Sequence, residues 1–338
     1  MKRCLLCAAL AAMLTGCGNY ADFRLPPPPG RPSSSIPAVR WEVLPSPVLA
    51  RGPAGDWDSV DALNPSVVRY RGLYHNLYSG FDGRAWRTGL ATSQDGISWV
   101  KHGPMISTSA SWEGDYMAAN GAVLVVAGEF LYWYQAGSPP RIGLARSRDG
   151  RGWSKQAGPV LATGPRGSWD ERGVADPWVS RIGGLFYMYY LGQDRARRQR
   201  LGLARSPDGV RWEKLRSNPV LELGPMGSFD EAGLGEPAVW TSHGRHWMLY
   251  TGRDRGENRR VLLAGSRDGV HWERVPEAPR LAGNQAWNSK VVCDPSVEVD
   301  GDTVRVWFGG GDQARPDERL NGQIGLALLR MSPAEAAR

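Results

Sequence analysis

The heptapeptide Ser206-Pro207-Asp208-Gly209-Val210-Arg211-Trp212 decides the fold, because its pattern Ser-x-Asp-Gly-x-x-Trp occurs four times in the chain. The other copies begin at Ser93, Ser147 and Ser266. Each follows a Gly-Leu-Ala-like strand start, and a fifth such start stands at Gly325 without the turn. A period of about 54 to 63 residues indicates a repeat architecture.

Each repeat contains aromatic-rich β segments, such as 185–190 and 246–250. Four short strands bounded by turn residues are the content of one propeller blade, and blades set in a ring leave no long open edge. The sequence therefore predicts an all-β fold, a five-bladed β-propeller of four-stranded antiparallel blades, over residues 41–332. A short tail follows at 333–338. Helical solenoids and two-sheet sandwiches do not repeat a turn in this way.

The composition agrees with a globular protein of many short strands. Of 338 residues, 41% are hydrophobic and 22% charged, which suffices for a large core. Glycine (43) and proline (25) are abundant, as expected where tight turns are frequent. The net charge is +7, but the 41 basic residues are scattered among 34 acidic ones and no recognition motif appears, so we expect no nucleic-acid partner.

The N-terminus has the pattern of an export signal. Lys2 and Arg3 precede an apolar run at 5–14, which is too short to span a bilayer. The tetrapeptide ending at Cys17, Leu-Thr-Gly-Cys, resembles a bacterial lipobox. This resemblance implies a lipoprotein signal peptide at 1–16 and a membrane partner through lipid on Cys17, at the periplasmic face of the cell envelope or the outer membrane. An ordinary secretory signal is the alternative. Residues 17–40, rich in proline and serine, predict an extended tether.

The aspartates of the repeated turn predict structure rather than chemistry. They recur blade by blade, and a turn aspartate bonds the backbone N–H groups of its own loop. We expect this role for Asp95, Asp149, Asp208 and Asp268, and we expect the motif tryptophans to pack between neighbouring blades.

A second recurring column predicts the functional site. An aromatic residue opens each unit, and a polar residue follows it seven or eight positions later, usually just before proline. Around the ring this position, here called the slot, is occupied by Asn64, Asn120, Asp176, Glu236 and Asp294. If the slot begins the innermost strand, all five side chains point at one axial cavity. Like charges in a partly enclosed space raise at least one pKa, as a general acid requires.

The repeat and the slot acids resemble the five-bladed glycoside hydrolases of families 43, 32, 62 and 68. Those families use a base or nucleophile, a pKa modulator and a general acid from three consecutive blades. Ala175-Asp176-Pro177 and Gly235-Glu236-Pro237 resemble the modulator and acid segments, which implies those roles for Asp176 and Glu236. The blade before carries Asn120 instead of a carboxylate, so the base is Asp294, Asp176, or one of the nearby acids Glu113 and Asp115; Asp294 occupies the equivalent slot.

Further side chains are candidates for holding a carbohydrate substrate. Besides the slot residues Asn64 and Asn120, they are Trp178, Asp194, Arg195, Arg253 and Asp254. No histidine or cysteine spacing predicts a metal, and no cofactor is expected. The leading hypothesis is an inverting glycosidase that acts as a monomer. The alternatives are a non-catalytic carbohydrate-binding or interaction propeller on a lipid anchor, and a glycoside phosphorylase, in which arginines of the third and fourth blades would bind phosphate.

Overall fold

The structure is a computed structural model that describes residues 19–30 and 36–332. The predicted signal peptide, the predicted lipidation site Cys17 and the tail at 333–338 lie outside the described residues. Within the described part of the chain, no helix is long and apolar enough to cross a membrane.

The described residues form strands and two 3-10 turns, so the all-β prediction is confirmed. In chain order the strands are β1 (Tyr20–Ala21), β2 (Ala38–Val43), β3 (Asp61–Tyr70), β4 (Leu73–Phe81), β5 (Trp86–Ser93), β6 (Val100–Ile106), β7 (Met117–Val126), β8 (Glu129–Ala136), β9 (Arg141–Ser147), β10 (Ser154–Lys155), β11 (Gly173–Ile182), β12 (Leu185–Gln193), β13 (Gln199–Ser206), β14 (Glu213–Leu215), β15 (Gly233–Ser242), β16 (Arg245–Arg253), β17 (Arg259–Ser266), β18 (Trp272–Arg274), β19 (Val291–Asp300), β20 (Thr303–Gly311) and β21 (Gln323–Ser332). The 3-10 turns are Ser111–Glu113 and Ala286–Asn288.

Antiparallel pairing divides strands β2 to β21 into five groups of four, here called blades 1 to 5; β1 lies outside these groups. Blades 1 to 4 are consecutive meanders: β3–β6, β7–β10, β11–β14 and β15–β18. Blade 5 takes three strands from the C-terminal end, β19 to β21, and its outer strand β2 from the N-terminal end. Pairing of β2 with β21 joins the two ends of the propeller body.

The first strands of the blades, β3, β7, β11, β15 and β19, contact one another in that order, and β19 also contacts β3. The ring is therefore closed. Its core lies mainly at the seams between blades, where aromatic side chains of one blade pack on the next. Trp212 of blade 3 meets Trp133 of blade 2 at 6.2 Å between ring centroids, and Trp272 of blade 4 meets Tyr189 of blade 3 at 5.7 Å. The predicted packing of the motif tryptophans is confirmed at these seams.

The repeated turns behave as predicted. In the copy at 206–212, Asp208 Oδ1 accepts hydrogen bonds from the backbone N–H groups of Val210 and Arg211 at 2.9 and 2.8 Å. The pKa of Asp208 is lowered; these donors outweigh the effect of partial burial. The other three motif aspartates accept the same pair of bonds.

The N-terminal segment corrects the tether prediction. Residues 19–30, here called the strap, lie against blades 3 and 4 instead of projecting as a spacer. Strand β1 pairs in parallel with β14, and Leu25 is buried in the core between these blades, with its N–H donating to the Asp268 carbonyl at 3.2 Å. The Phe23 ring packs on Tyr187. Residues 38–43 are also part of the propeller body, because they form β2.

Candidate active site

A cavity of about 500 Å³ opens at the centre of one end of the ring. The loops between the second and third strands of the blades and the segments entering the first strands form its walls, so the face is the one that the meander topology predicts. The Ser-x-Asp-Gly-x-x-Trp turns join third and fourth strands and lie at the opposite end. All five slot residues line the cavity floor: Asn64, Asn120, Asp176, Glu236 and Asp294.

Each slot residue stands on a β-bulge in the first strand of its blade. In blade 3, Asp176 and Pro177 together oppose a single residue of β12, and the register shifts at the same place in every blade. The slot backbone is left-handed throughout, with φ between 42° at Glu236 and 55° at Asn120. Such a conformation costs free energy in residues other than glycine, less in Asn and Asp than in Glu, and residues held in it cluster at functional sites. Proline is tolerated after the slot residue, because the backbone N–H at this position of the bulge does not take part in the hydrogen bonds between strands.

Hydrogen bonds tie the slots of neighbouring blades together. Asn120 Nδ2 donates to Asp176 Oδ1 at 2.8 Å, from blade 2 to blade 3. The Asn64 backbone N–H donates to Asp294 Oδ2 at 3.1 Å, from blade 1 to blade 5. The Asp294 N–H in turn donates to Thr251 Oγ1 of blade 4 at 3.1 Å. The side chains are therefore fixed in position before a ligand arrives.

The three slot acids are electrostatically coupled. Burial raises the pKa of Asp176 well above its usual range, and the charges of Glu236 and Asp294 raise it further. The pKa of Asp294 is raised to about 7, mainly by burial and then by Glu236. Near neutral pH the cluster therefore retains a proton that isolated carboxyls would have lost.

Glu236 differs from the two aspartates. Its side chain is half-buried, whereas Asp176 and Asp294 are 8% and 5% exposed. Its Oε2 atom is buried and has no hydrogen-bond partner among the described residues. An unpaired carboxyl oxygen on the floor of a cavity is available to a ligand hydroxyl or a leaving oxygen.

Arg259, at the start of β17, is a site residue that the sequence analysis missed. Its guanidinium lines the cavity and is close enough to the Glu236 and Asp294 carboxylates that their charges raise its pKa despite burial. It also donates to the carbonyls of Arg315 and Pro316 in the β20–β21 loop. Its neighbour Arg260 stands at a register position that carries arginine in four blades. The position of Arg259 itself is occupied by Trp86, Pro140 and Gln199 in blades 1 to 3, so the repeat gives no signal for it.

Three of the seven predicted substrate-binding residues line the cavity, and the other four do not. Asn64, Asn120 and Arg253 line the cavity. Trp178 lies deeper along the axis, where its indole N–H donates to the Val239 carbonyl at 3.2 Å; it packs at the seam between blades instead of at the cavity mouth. This placement corrects its assignment as a sugar-stacking residue.

The remaining candidates are engaged in loop structure. Asp194 accepts from Arg198 and Arg200, and Asp254 accepts from the N–H groups of Gly256 and Asn258. Arg195 is exposed and pairs with Glu171. None of the three predicted residues lines the cavity, because each is held by its own turn or by a neighbouring loop.

A second acid column also escaped the sequence analysis. The residue after the aromatic that opens each unit is buried and bonded to a tyrosine hydroxyl in four blades, through the pairs Asp58–Tyr78, Glu113–Tyr134, Asp170–Tyr190 and Asp230–Tyr250. A lysine or arginine completes each group, as in Lys155 with Glu113 at 2.9 Å. These contacts occupy Glu113, which excludes it as the base. The recurrent dipeptide, Trp or Phe followed by Asp or Glu, was the available signal.

No group of three or more His, Cys, Asp or Glu side chains within residues 19–30 and 36–332 has the arrangement of a metal site.

The sequence model of a carbohydrate-active family, glycoside hydrolase family 130, described as β-1,4-mannooligosaccharide phosphorylase, matches residues 120–309. The chain belongs to this family. The predicted resemblance to propeller glycoside hydrolases is therefore confirmed at the level of the fold, while the family itself is 130 and not 43, 32, 62 or 68.

Sequence relatives of this family 130 protein are partial matches. The "Uncharacterized protein Rv1502" of Mycobacterium tuberculosis is 30% identical over 162 residues, which cover 45% of this chain and 52% of the relative. A 1,2-β-oligomannan phosphorylase of Thermoanaerobacter is 30% identical over 125 residues, covering 34% of this chain and 41% of the relative. The chain spans about half the length of the curated relatives it matches.

Solved structures share the fold of the family 130 protein over most of its length. One belongs to work on family 130 hydrolases that target β-1,2 mannosidic linkages in Candida mannan (TM-score 0.68, 18% identity, 89% of this chain and 96% of the other). Another is the β-1,2-mannobiose phosphorylase of Listeria innocua (TM-score 0.63, 14% identity, 86% and 90%). A thermostable family 43 glycoside hydrolase gives a TM-score of 0.62 at 17% identity, with 86% and 96% covered.

Proposed function

We propose that this family 130 protein hydrolyses β-mannosidic bonds in its axial cavity by acid–base catalysis. The observation that carries the proposal is the coupled set of Asp176, Glu236 and Asp294, contributed by three consecutive blades to one cavity floor. Glycoside hydrolysis needs one carboxyl group to protonate the leaving oxygen and another to activate water. The mannoside substrate class comes from the family description and from the oligomannan phosphorylase relative.

The environments of the acids support distinct roles. Burial and the Glu236 charge raise the pKa of Asp294 to about 7, and a backbone N–H at one oxygen and the nearby Arg259 charge offset part of this rise, so its carboxyl is suited to act as a base near neutral pH. It is the proposed base: it removes a proton from water as the water oxygen attacks the anomeric carbon. Glu236, with an unpaired oxygen at the cavity floor, gives a proton to the oxygen that leaves. A single displacement of this kind inverts the anomeric carbon. Asp176 is the proposed pKa modulator: its own pKa is raised by burial and by the charges of Glu236 and Asp294, so the cluster of three carboxyls retains a proton.

The charge of the cavity favours water over phosphate as the nucleophile. Six acidic residues line it: Glu113, Asp115, Asp176, Glu236, Asp294 and Asp317. Lys155 neutralises Glu113, and the slot acids share a proton near neutral pH, but the acidic side chains that remain still outnumber the arginines. Of the arginines in the described residues, only two line the cavity, and both already have partners: Arg253 pairs with Glu257 and Gln199, and Arg259 donates to loop carbonyls. A phosphate dianion in this setting would be repelled, whereas a neutral water or sugar hydroxyl would not.

A phosphorylase is the second candidate, because the family description and the Thermoanaerobacter relative both carry that activity in their names. In that case Arg253 and Arg259 would turn from their present partners to bind phosphate.

Incubation of the purified protein with β-1,2- and β-1,4-linked mannobiose and mannotriose, with and without 10-fold excess inorganic phosphate, distinguishes these functions. Free mannose formed independently of phosphate is the expected product. Mannose 1-phosphate formed only with phosphate would overturn hydrolysis in favour of phosphorolysis. Cleavage that E236Q and D294N leave intact would refute the assigned roles, with D254N as the matched control on the same face. No cleavage, combined with binding of the sugars by calorimetry, would support a non-catalytic carbohydrate-binding protein.

We also propose that the protein is exported and held at the envelope by lipid on Cys17. The lipobox-like sequence that ends at Cys17 supports this. Detergent-phase partitioning of the full chain and of C17S, expressed in a Gram-negative host, tests it: the unaltered chain should enter the detergent phase and C17S should not. Equal partitioning of both into the aqueous phase would refute the anchor.

A further inference from the structure

Cys293 lies directly behind the proposed base. Its thiol donates to Asp294 Oδ2 at 3.1 Å, the same oxygen that accepts the Asn64 N–H. The thiol is 1% exposed and does not line the cavity. Gly309 on β20 leaves room for this arrangement, since a Cβ there would lie 2.5 Å from Asp294 Oδ2 and 3.0 Å from the sulfur. Strand packing thus accommodates the thiol–carboxylate contact.

Comparison of the five blades shows that this donor is specific to blade 5. The residue before the slot is Leu63, Ala119, Ala175 or Gly235 in the other blades, none of which has a hydrogen-bonding side chain. An apolar residue therefore satisfies the packing at this position. The blade that supplies the proposed base is the one that carries a thiol there, so packing alone does not explain Cys293.

We propose that Cys293 is a positioning residue for Asp294. The Cys293 thiol occupies Asp294 Oδ2, and Oδ1 is thereby left directed at the cavity, where it receives a proton from water. The inference rests on the proposed role of Asp294 as base. Asp294 lines the cavity, and among the described residues Oδ1 accepts no hydrogen bond, so the two oxygens of this carboxylate are not equivalent.

The thiol remains a donor throughout the working pH range. Burial, and then the charges of Asp294 and Glu236, raise the pKa of Cys293 well above its usual value, so it stays protonated. The charged and titratable groups that face Asp294 from the surrounding elements are Glu236 on β15, Asp176 on β11 and Arg259 on β17. Substitutions at Cys293 leave these groups in place and change the donor to Oδ2.

The test is the titration of Asp294 in the full chain and in its C293A and C293S variants. The titration is monitored by ¹³C NMR of selectively labelled aspartate carboxyls, and the D294N variant assigns the Asp294 signal. An S–H group is a weak donor, an O–H group a stronger one, and a methyl group none. The midpoint of Asp294 should therefore rise by about half a pH unit or more in C293A and fall by a similar amount in C293S. The acidic limb of the pH profile of kcat/KM should move in the same directions.

The matched control is A204S, which adds a hydroxyl at a fully buried site in β13, away from the cavity. It should lower Tm without moving the Asp294 midpoint. Unchanged midpoints in both Cys293 variants, or shifts of the same sign, would overturn the proposal; if C293S does not fold, the sign in C293A decides. The NMR titration needs no substrate, so a chain without glycosidase activity would refute the proposed function and still report on this contact.

Discussion

Asn120 donates its side-chain amide to Asp176 Oδ1 across the seam between blades 2 and 3, at a distance of 2.8 Å. The two residues occupy equivalent slots of neighbouring blades, so an amide stands where the resemblance to other propeller hydrolases implied a carboxylate. The amide stabilises Asp176 without adding a charge to the cluster. Its other donor contact, to Gln135 Oε1 at 3.3 Å, fixes its orientation.

The first prediction replaces this amide by a carboxyl. In N120D a fourth acid would lie within hydrogen-bonding distance of Asp176, and two such carboxyls must share a proton. The alkaline limb of the pH profile of mannoside cleavage should therefore move upward by about one pH unit. N120A is the control: it removes the same amide donor without adding a charge, so any upward shift that it produces should be smaller than that of N120D. A profile of N120D identical to that of the unaltered chain would contradict the coupling.

The second prediction concerns the stability effect of the buried base. Because the pKa of folded Asp294 is raised to about 7, from about 3.8 in the unfolded chain, ionisation destabilises the fold progressively between those values. D294N should raise the free energy of unfolding at pH 8 by about 1 to 4 kcal/mol and leave it nearly unchanged at pH 3.5. Urea titrations at the two pH values measure this, and D254N should give no such gain. Destabilisation by D294N at pH 8 would show that the carboxylate contributes more than its burial costs.

The third prediction addresses the buried acids beside the aromatic residues. Lys214 Nζ lies 2.5 Å from Asp170 Oδ2, and the two side chains are 7% and 0% exposed. K214M leaves a buried carboxylate without its cation and should lower the free energy of unfolding by about 3 kcal/mol or more. R211M, which breaks the exposed Arg211–Asp208 pair, should cost less than about 1 kcal/mol. Equal losses in the two variants would refute a structural role for the buried pair.

The fourth prediction tests the strap. Leu25 is 5% exposed between blades 3 and 4, so L25A should lower the free energy of unfolding by about 2 kcal/mol and release residues 19–30 for faster amide exchange. The exposed Ile97 provides the control, and I97A should change neither quantity. If truncation of Leu25 leaves exchange in the strap unchanged, burial of Leu25 is not what holds the segment in place.

Much of the fold and part of the site could be predicted from the sequence, because both repeat. The turn aspartates, the interblade tryptophans and the slot column each recur once per unit, so their common position in a blade could be deduced from any copy. The prediction that the slots surround one cavity holds for Asp176, Glu236 and Asp294 in the structure. The prediction of substrate-binding residues from single loops was less successful, since Asp194 and Asp254 accept hydrogen bonds within their own turns.

Other features have no repeat to reveal them. Arg259 and the thiol of Cys293 reach the cluster only because blade 5 lies beside blade 4 and because the bulges turn the slot residues inward. The strap was predicted as a spacer on the basis of its prolines, whereas Leu25 and β1 bind to a crevice formed by two blades. Composition describes the local preference of a segment and carries no information about a surface assembled from distant parts of the chain.

The sequence by itself determined the repeating all-β architecture and the column of residues that heads the first strand of each unit, since periodic spacing is a property of the chain. Only the tertiary structure decided which members of that column share protons, which donors and cations face them, and which acids are sealed in ion pairs. Those properties depend on burial and on distances of a few ångströms between blades, and closure of the ring sets both.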